Sequence, residues 1–186
     1  MSTETATTKV VTGLVRFSYA NVWEPKSMEE GGLKKYSTAL IIPKSDKACL
    51  SKLNIAIETA IELGKSKFGK NWDPKKPKFH LPLRDGDVDR PEDKAYEKAM
   101  FINASNKTKP GIVDKYKAAI TNQDEFYSGC YGHASISFYP FDTNGNKGIA
   151  CALNHVMKVK DGEAFSGAGS AEMAFAEVEV EDMDYL

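Results

Sequence analysis

Residues 126–159 read FYSGCYGHASISFYPFDTNGNKGIACALNHVMKV, and this stretch decides the fold. FYSGCYGHASISFYPFD (126–142) is a long strand, divided into faces by Gly129 and Gly132. DTNGNKG then centres on Asn144–Gly145, a pair that suits the positive φ angles of a tight hairpin turn. IACALNHVMKV (149–159) returns as the partner strand. A hairpin this long predicts an antiparallel framework that the remaining strands must complete.

Outward from the hairpin, the segments upstream supply those strands. Val10 to Trp23 alternates, with Val11, Gly13, Val15, Phe17 and Tyr19 on one side and Thr12, Leu14, Arg16 and Ser18 on the other. EPKSMEEGGLKK is a turn punctuated by Pro25 and Gly31–Gly32. In KKYSTALIIPK, Ser37, Ala39 and Ile41 alternate with Tyr36, Thr38, Leu40 and Ile42, and Pro43 stops the strand because it lacks an N–H. Asp46 or Ser45 can cap a helix. The spacing of Leu50, Leu53, Ile57 and Ile61 predicts that helix over Asp46–Lys67, ending near Gly64 or Gly69 and packed on an open end of the sheet. Trp72, in a proline- and lysine-rich loop, suits an exposed stacking ring and a lid over the core equally.

The stretch Leu81–Asp114 holds a charged loop, PLRDGDVDR, and a short helical candidate near Asp93–Lys98. The strand Ala99–Ser105 follows, with Met100, Ile102 and Ala104 on one face and Phe101, Asn103 and Ser105 on the other, and then the basic turn NKTKPG. Five or six strands, one main helix, long loops and no strand–helix alternation argue against a doubly wound sheet. The expected class is all-β to α+β: a five-stranded OB-type antiparallel barrel with one main helix and long loops, plus a flexible acidic C-terminal tail. The expected division is a disordered 1–9, a barrel domain over 10–175 and the acidic tail over 176–186.

Composition narrows the function classes. The chain has 186 residues and a net charge of -1, but its charge is unevenly placed. After Lys160 there is no Lys or Arg, and eight of the 26 acids lie there, which leaves residues 1–160 with all 25 basic residues against 18 acids. A basic body with an acidic end is the balance of a nucleic-acid or interaction protein. No apolar run reaches the ~20 residues needed to cross a bilayer, and MSTETATTK does not read as a signal peptide, so no membrane association is expected. Three separated cysteines, Cys49, Cys130 and Cys151, fit reduced thiols in a cytoplasm.

Catalytic patterns are weak. Asp85, Asp87 and Asp89 begin like a calcium loop, but Arg90 stands where that loop needs Gly and Tyr96 where it needs Glu. The same aspartates could serve a Mg-dependent nuclease; Arg84 and Arg90 flank them, and internal ion pairing accounts for the cluster more simply. His80, His133 and His155 have no metal-ligand spacing, and there is no phosphate-binding glycine loop. No cofactor and no enzymatic activity are expected. A protein-binding recombination accessory module is the other alternative.

Basic and aromatic residues interleave instead. Arg16, Tyr19 and Trp23 share one segment; Lys34, Lys35 and Tyr36 open the next strand; Arg84, Phe101, Asn103, Lys107 and Lys109 surround the central stretch. Exposed rings stack on bases while cations neutralise phosphate, and these eleven residues are the candidate DNA-binding set. For each ring alone, core packing is the competing account.

The blocks Arg16–Phe17–Ser18–Tyr19 with Glu24–Pro25, KYSTALIIPKSD, LPLRDGD, FINASNKTKPGIVD, YSGCYGHASISFYPFD and NKGIACALNHVMKVKDGE cover roughly residues 14–175. In order and length they resemble a phage-encoded family of single-stranded-DNA-binding proteins with an OB-fold. The resemblance implies largely sequence-independent binding of single-stranded DNA in phage or prophage replication or recombination, in the cytoplasm of an infected or lysogenic host. The acidic end is similar in kind to the partner-recruiting tails of such proteins. Glu179, Glu181, Asp182, Asp184, Tyr185 and Leu186 are therefore candidates to contact replication or recombination proteins. The end lacks the Pro–Phe terminus of the common bacterial version. A homodimer stays open.

Overall fold

The computed structural model describes residues 7–27 and 30–165. Residues 166–186, the acidic tail among them, and the first six residues lie outside the described residues, so the boundaries expected at 9/10 and 175/176 rest on sequence.

Eight strands form one sheet: β1 (Lys9–Val11), β2 (Val15–Lys26), β3 (Lys35–Pro43), β4 (Leu83–Asp85), β5 (Ala99–Asn106), β6 (Gly111–Val113), β7 (Tyr131–Thr143) and β8 (Asn146–Lys160). Five of them are long, and these close on themselves in the order β2–β3–β5–β8–β7 and back to β2. The ring is the expected five-stranded OB-type barrel. All its pairings are antiparallel except β5 with β8, where the ladder is parallel and passes through Ser105 and Ala152. The Asn106 side-chain amide donates to the Leu153 carbonyl nearby, at 3.1 Å. The three short strands lengthen the edges.

The β7–β8 hairpin is the backbone of the ring, paired from Tyr131↔Lys160 to Thr143↔Asn146. Its turn uses Asn144 and Gly145 at φ 51° and 81°, the left-handed pair a two-residue hairpin loop requires. Even residues of β7, from Gly132 to Phe138, point inward and are buried, while odd residues are half-buried or exposed. The period of two that signals a half-buried strand is thus kept from Tyr131 to Tyr139.

The expected single strand over Val10–Trp23 is broken at Thr12–Leu14. Thr12 turns inward, its N–H donating to the Ala134 carbonyl at 2.9 Å and its hydroxyl accepting from the Ala134 N–H at 3.0 Å. The Gly13 N–H points at the Cys49 thiol, 3.2 Å away. β1 therefore pairs with one part of β7 and β2 with another.

Helix α1 (Lys47–Phe68) follows the sequence expectation closely. The Asp46 carboxylate accepts from the Cys49 N–H at 3.1 Å, satisfying one of the unpaired donors of the first turn. Gly69 ends the helix at φ 79°. The buried face, Cys49, Leu53, Ala56, Ile57, Ala60 and Gly64, lies against β1, β7 and β8. Burying a side chain such as Leu53 contributes about 1.5–3 kcal/mol. Trp72 closes this layer: its ring lies over Gly64, where a Cβ would collide with it, and its Nε1 donates to the Phe141 carbonyl at 2.9 Å. Of its two sequence readings, the lid holds.

A second, smaller core lies outside the barrel. The segment after β4 forms a helical turn, α2 (Gly86–Asp89), and a 3-10 turn at Lys94–Tyr96, and folds onto the outer faces of β3 and β5. Tyr96 meets Phe101 edge to face with centroids 5.1 Å apart, and Ile41 and Ala99 complete the cluster. This cover explains why consecutive residues Leu40–Ile42 are all buried: Leu40 and Ile42 look into the barrel, and Ile41 lies under Tyr96.

Candidate nucleic-acid interface

The outer surface of β2, β3 and β5 is a groove of about 660 Å³. Its floor follows from strand alternation. Asn21 lies opposite Ser37, and Ser37 opposite Ser105; Ala39 lies opposite Asn103. These short side chains leave room above the sheet. One end is formed by the β2–β3 hairpin, with Lys26, Ser27, Gly32, Leu33 and Lys35; the other by Tyr19 and Arg90. Among the described residues three cations and no carboxylate line it.

Tyr19 stands out. It is 60% exposed, and its backbone has φ 48°, the left-handed region in which an aromatic residue is a genuine outlier. The local cause is an irregularity: the β2–β3 register shifts between Ser18 and Asn21, and the Ala20 N–H leaves the ladder to donate to the Ser128 hydroxyl at 2.9 Å. The Arg90 guanidinium lies 5.3 Å from the ring centroid.

The other sequence candidates sort into four groups. Lys35 and Asn103 line the groove with Tyr19, and Lys34 is exposed on the hairpin beside it. Trp23 does not line the groove; it is half-buried, its Nε1 donates to the Phe126 carbonyl at 2.9 Å, and Lys109 Nζ lies 5.3 Å from its ring. Lys107 is exposed in the same β5–β6 turn, and Tyr36 is half-buried opposite Asn106 on the face of β3 that turns away from the groove. Arg16 is committed elsewhere. It donates to the Gly129 carbonyl at 3.0 Å and the Glu163 carbonyl at 2.7 Å, and lies over the Phe165 and Tyr131 rings. With the Tyr127 hydroxyl donating to Asp161 at 2.9 Å, it straps residues 161–165 against β2 and β7. Burial together with that carboxylate pushes the Tyr127 pKa up to about 12.

Phe101 requires correction. It is on the face the alternation indicated, with Asn103, but is fully buried under Tyr96, so no base can reach it. Arg84 is exposed and tied to Asp89 at 2.9 Å. Ion pairing of the aspartate cluster is present but differently distributed from the expectation. Lys44 Nζ bridges Asp85 at 2.8 Å and Asp87 at 2.7 Å, and this lysine holds both carboxyls below their ordinary range. Asp85 also caps α2 through the Asp87 N–H, and Asp87 accepts from the Lys98 N–H, both at 2.9 Å. Arg90, which flanks the cluster, pairs with none of it. Among the described residues no three His, Cys, Asp or Glu side chains converge as a metal site. The three cysteines are buried and free, and desolvation raises the pKa of each. Among the described residues no helix is long and apolar enough to cross a membrane.

Lys26 and Arg90 are the groove cations that the candidate set lacks. Lys26 ends a strand whose length the sequence understated; Arg90 sits in a loop whose course is set by capping and ion pairs, which no periodicity records.

The model of the family described as "Enterobacter phage Enc34, ssDNA-binding protein" matches residues 8–186. A protein of Acyrthosiphon pisum secondary endosymbiont phage 1, described as putative protein p50, is 32% identical over 176 residues, which is 89% of this chain and 90% of that one. The solved single-stranded DNA-binding protein from bacteriophage Enc34 in complex with ssDNA is similar at a TM-score of 0.76 and 28% identity, covering 86% of this chain and 90% of that chain. The single-stranded DNA binding protein encoded by bacteriophage T7 shares the fold at a TM-score of 0.61 and 16% identity, over 97% of this chain and 99% of its own.

Proposed function

The chain belongs to the family of phage single-stranded-DNA-binding proteins represented by that of Enterobacter phage Enc34, and on that premise we propose that the groove over β2, β3 and β5 holds a single DNA strand. The carrying observation is the pairing of an exposed aromatic ring, Tyr19, with the cations Lys26, Lys35 and Arg90 in a groove floored by short side chains. Tyr19 stacks on a base. Lys26 and Lys35, with Lys34 beside them, neutralise phosphate, and Asn21, Ser37, Asn103 and Ser105 offer hydrogen bonds to base edges or sugar. Lys107 and Lys109, with Trp23 behind Lys109, extend the basic surface past the hairpin end. A duplex cannot present its bases to Tyr19 without unstacking, which sets the preference for unpaired strands.

The protein acts without covalent chemistry, coating and protecting strands during replication or recombination of a phage or prophage genome in the bacterial cytoplasm. The acidic residues Glu179, Glu181, Asp182 and Asp184, with Tyr185 and Leu186, recruit replication or recombination proteins.

A gel shift with unpaired and duplex oligonucleotides of equal length tests this reading. Tighter binding of the unpaired strand is expected, with log affinity falling against log salt at about -0.7 per phosphate neutralised. Equal binding of both forms, or a flat salt response, would reject it.

A further inference from the structure

Arg90 is held in the groove in a way its neighbours are not. Its backbone is pinned on both sides, with its N–H donating to the Gly86 carbonyl at 2.9 Å and its carbonyl accepting from the Asp93 N–H at 3.1 Å, while Pro91 restricts the chain between. Its guanidinium lies over three rings, 4.8 Å from Tyr96, 5.0 Å from Phe101 and 5.3 Å from Tyr19. Tyr96 and Phe101 stand at 84° to each other, so the guanidinium lies flat on at most one of them, and contacts with rings give none of its five N–H donors an oxygen partner. Asp87, Asp89, Glu92 and Asp93 all lie within three residues in sequence, yet none takes those donors. Asp87 is bound to Lys44, Asp89 to Arg84, and Asp93 caps the 3-10 turn by accepting from the Ala95 N–H at 3.0 Å. Among the described residues the Arg90 side chain makes no hydrogen bond or ion pair. The aspartate-rich loop consumes its own charge in building a rigid bracket, and the bracket delivers one unpaired guanidinium beside the most exposed ring of the groove.

We propose that Arg90 and Tyr19 form a single-nucleotide clamp: the base stacks on the open face of Tyr19, and the adjoining phosphate takes two parallel N–H donors from Arg90. The clamp rests on the groove reading above and assigns one position in it. A planar fork matches the two oxygens of a phosphate, which a lysine reproduces in charge but not in geometry. The clamp is the fixed point of the groove. The floor offers only short side chains, so the strand is registered here, and the lysines at the hairpin end meet the phosphates beyond it.

The test compares Arg90→Lys, Arg90→Gln, Arg84→Gln and Lys35→Gln in the full chain, with melting temperatures recorded for each. Arg84 is the internal control, an arginine of the same segment over the same Phe101 ring but outside the groove and paired with Asp89. The probe is oligo-dT, titrated at several salt concentrations. Arg90→Gln is expected to lower the salt slope by about 0.7, the value of one phosphate contact on a single strand. Arg90→Lys is expected to keep the slope and weaken binding roughly tenfold, the size of a lost charge-assisted hydrogen bond. Arg84→Gln, made together with Asp89→Asn so that no carboxylate is released beside Arg90, should leave both unchanged. The clamp is overturned if Arg90→Lys binds as the wild type does, or if Arg84→Gln and Arg90→Gln lower the slope equally, which would indicate surface charge alone. It is also overturned if the Arg90 effect appears on guanine-containing strands and not on oligo-dT, which would make the fork a reader of base edges. If Lys35→Gln weakens binding while both Arg90 variants do not, the clamp fails and the groove stands. If none of the groove variants matters, both fail.

Discussion

Replacing Tyr19 by glycine and, separately, by alanine isolates two contributions made at one position. Both variants remove the ring; they differ in backbone freedom. At φ 48°, alanine bears the left-handed penalty of about 1–2 kcal/mol, and glycine does not. Glycine gives back about 0.5–1 kcal/mol through its greater freedom in the unfolded chain. The glycine variant should therefore be the more stable by about 0.5–1 kcal/mol, a difference of roughly 1–4 °C in melting temperature for a domain of this size. The ring is 60% exposed, so its removal should cost little packing in either variant. DNA binding should behave differently. Loss of one stacked base is about 1–3 kcal/mol, or roughly 5- to 150-fold in Kd, and should be the same in both variants. Scanning calorimetry and fluorescence anisotropy with a labelled single strand give the two readouts. Alanine as stable as glycine would show that the backbone strain is not real. Undiminished affinity in both would remove Tyr19 from the interface.

Two further outcomes follow from charge. Deleting residues 176–186 removes Glu177, Glu179, Glu181, Asp182 and Asp184 and should tighten DNA binding at low salt, as measured by anisotropy, because an anion that competes for the basic groove is lost; unchanged or weaker binding would contradict this. The Lys44 ion pairs hold Asp85 and Asp87 below the ordinary carboxylate value of 3.8, so their contribution to stability is present above about pH 4 and is lost as pH falls through the depressed folded-state values. Urea unfolding of Asp87→Asn should accordingly fall below the wild type at neutral pH and converge with it on acidification, whereas a gap that is constant with pH would mean the pair contributes nothing electrostatic.

What the sequence disclosed follows the physics of each element. The β7–β8 hairpin was legible because one face of β7 is buried from Gly132 to Phe138 and Asn144–Gly145 fits one kind of turn. Helix α1 was legible within a residue at each end, because its apolar stripe and the Asp46 cap are local signals. The alternation of β5 correctly set Phe101 and Asn103 on the outer face, but alternation cannot tell which outer positions another segment covers. That cover is the 86–98 segment, folded by aspartate caps and by Lys44, a partner more than forty residues away. The same long-range contacts hid Arg90, which beside five acids reads as one more ion-pair partner. Trp72 was undecidable for a related reason. Its burial depends on Gly64 leaving space in a helix, and glycine in a helix carries no such label.

The junction between β5 and β8 is the parallel join in an otherwise antiparallel ring. Every other neighbouring pair in the ring shares an antiparallel ladder, whereas here the match runs through Ser105 and Ala152 with a side-chain amide from Asn106 in support. With the two-pair β2–β7 contact it is one of the two thin joins of the cylinder, and amide protons flanking both should exchange with deuterium before those of the β7–β8 hairpin. These two joins divide the β2–β3–β5 leaf, which carries Asn103, from the β7–β8 spine, so early exchange at both would mark a cradle able to change its curvature while the spine keeps its shape.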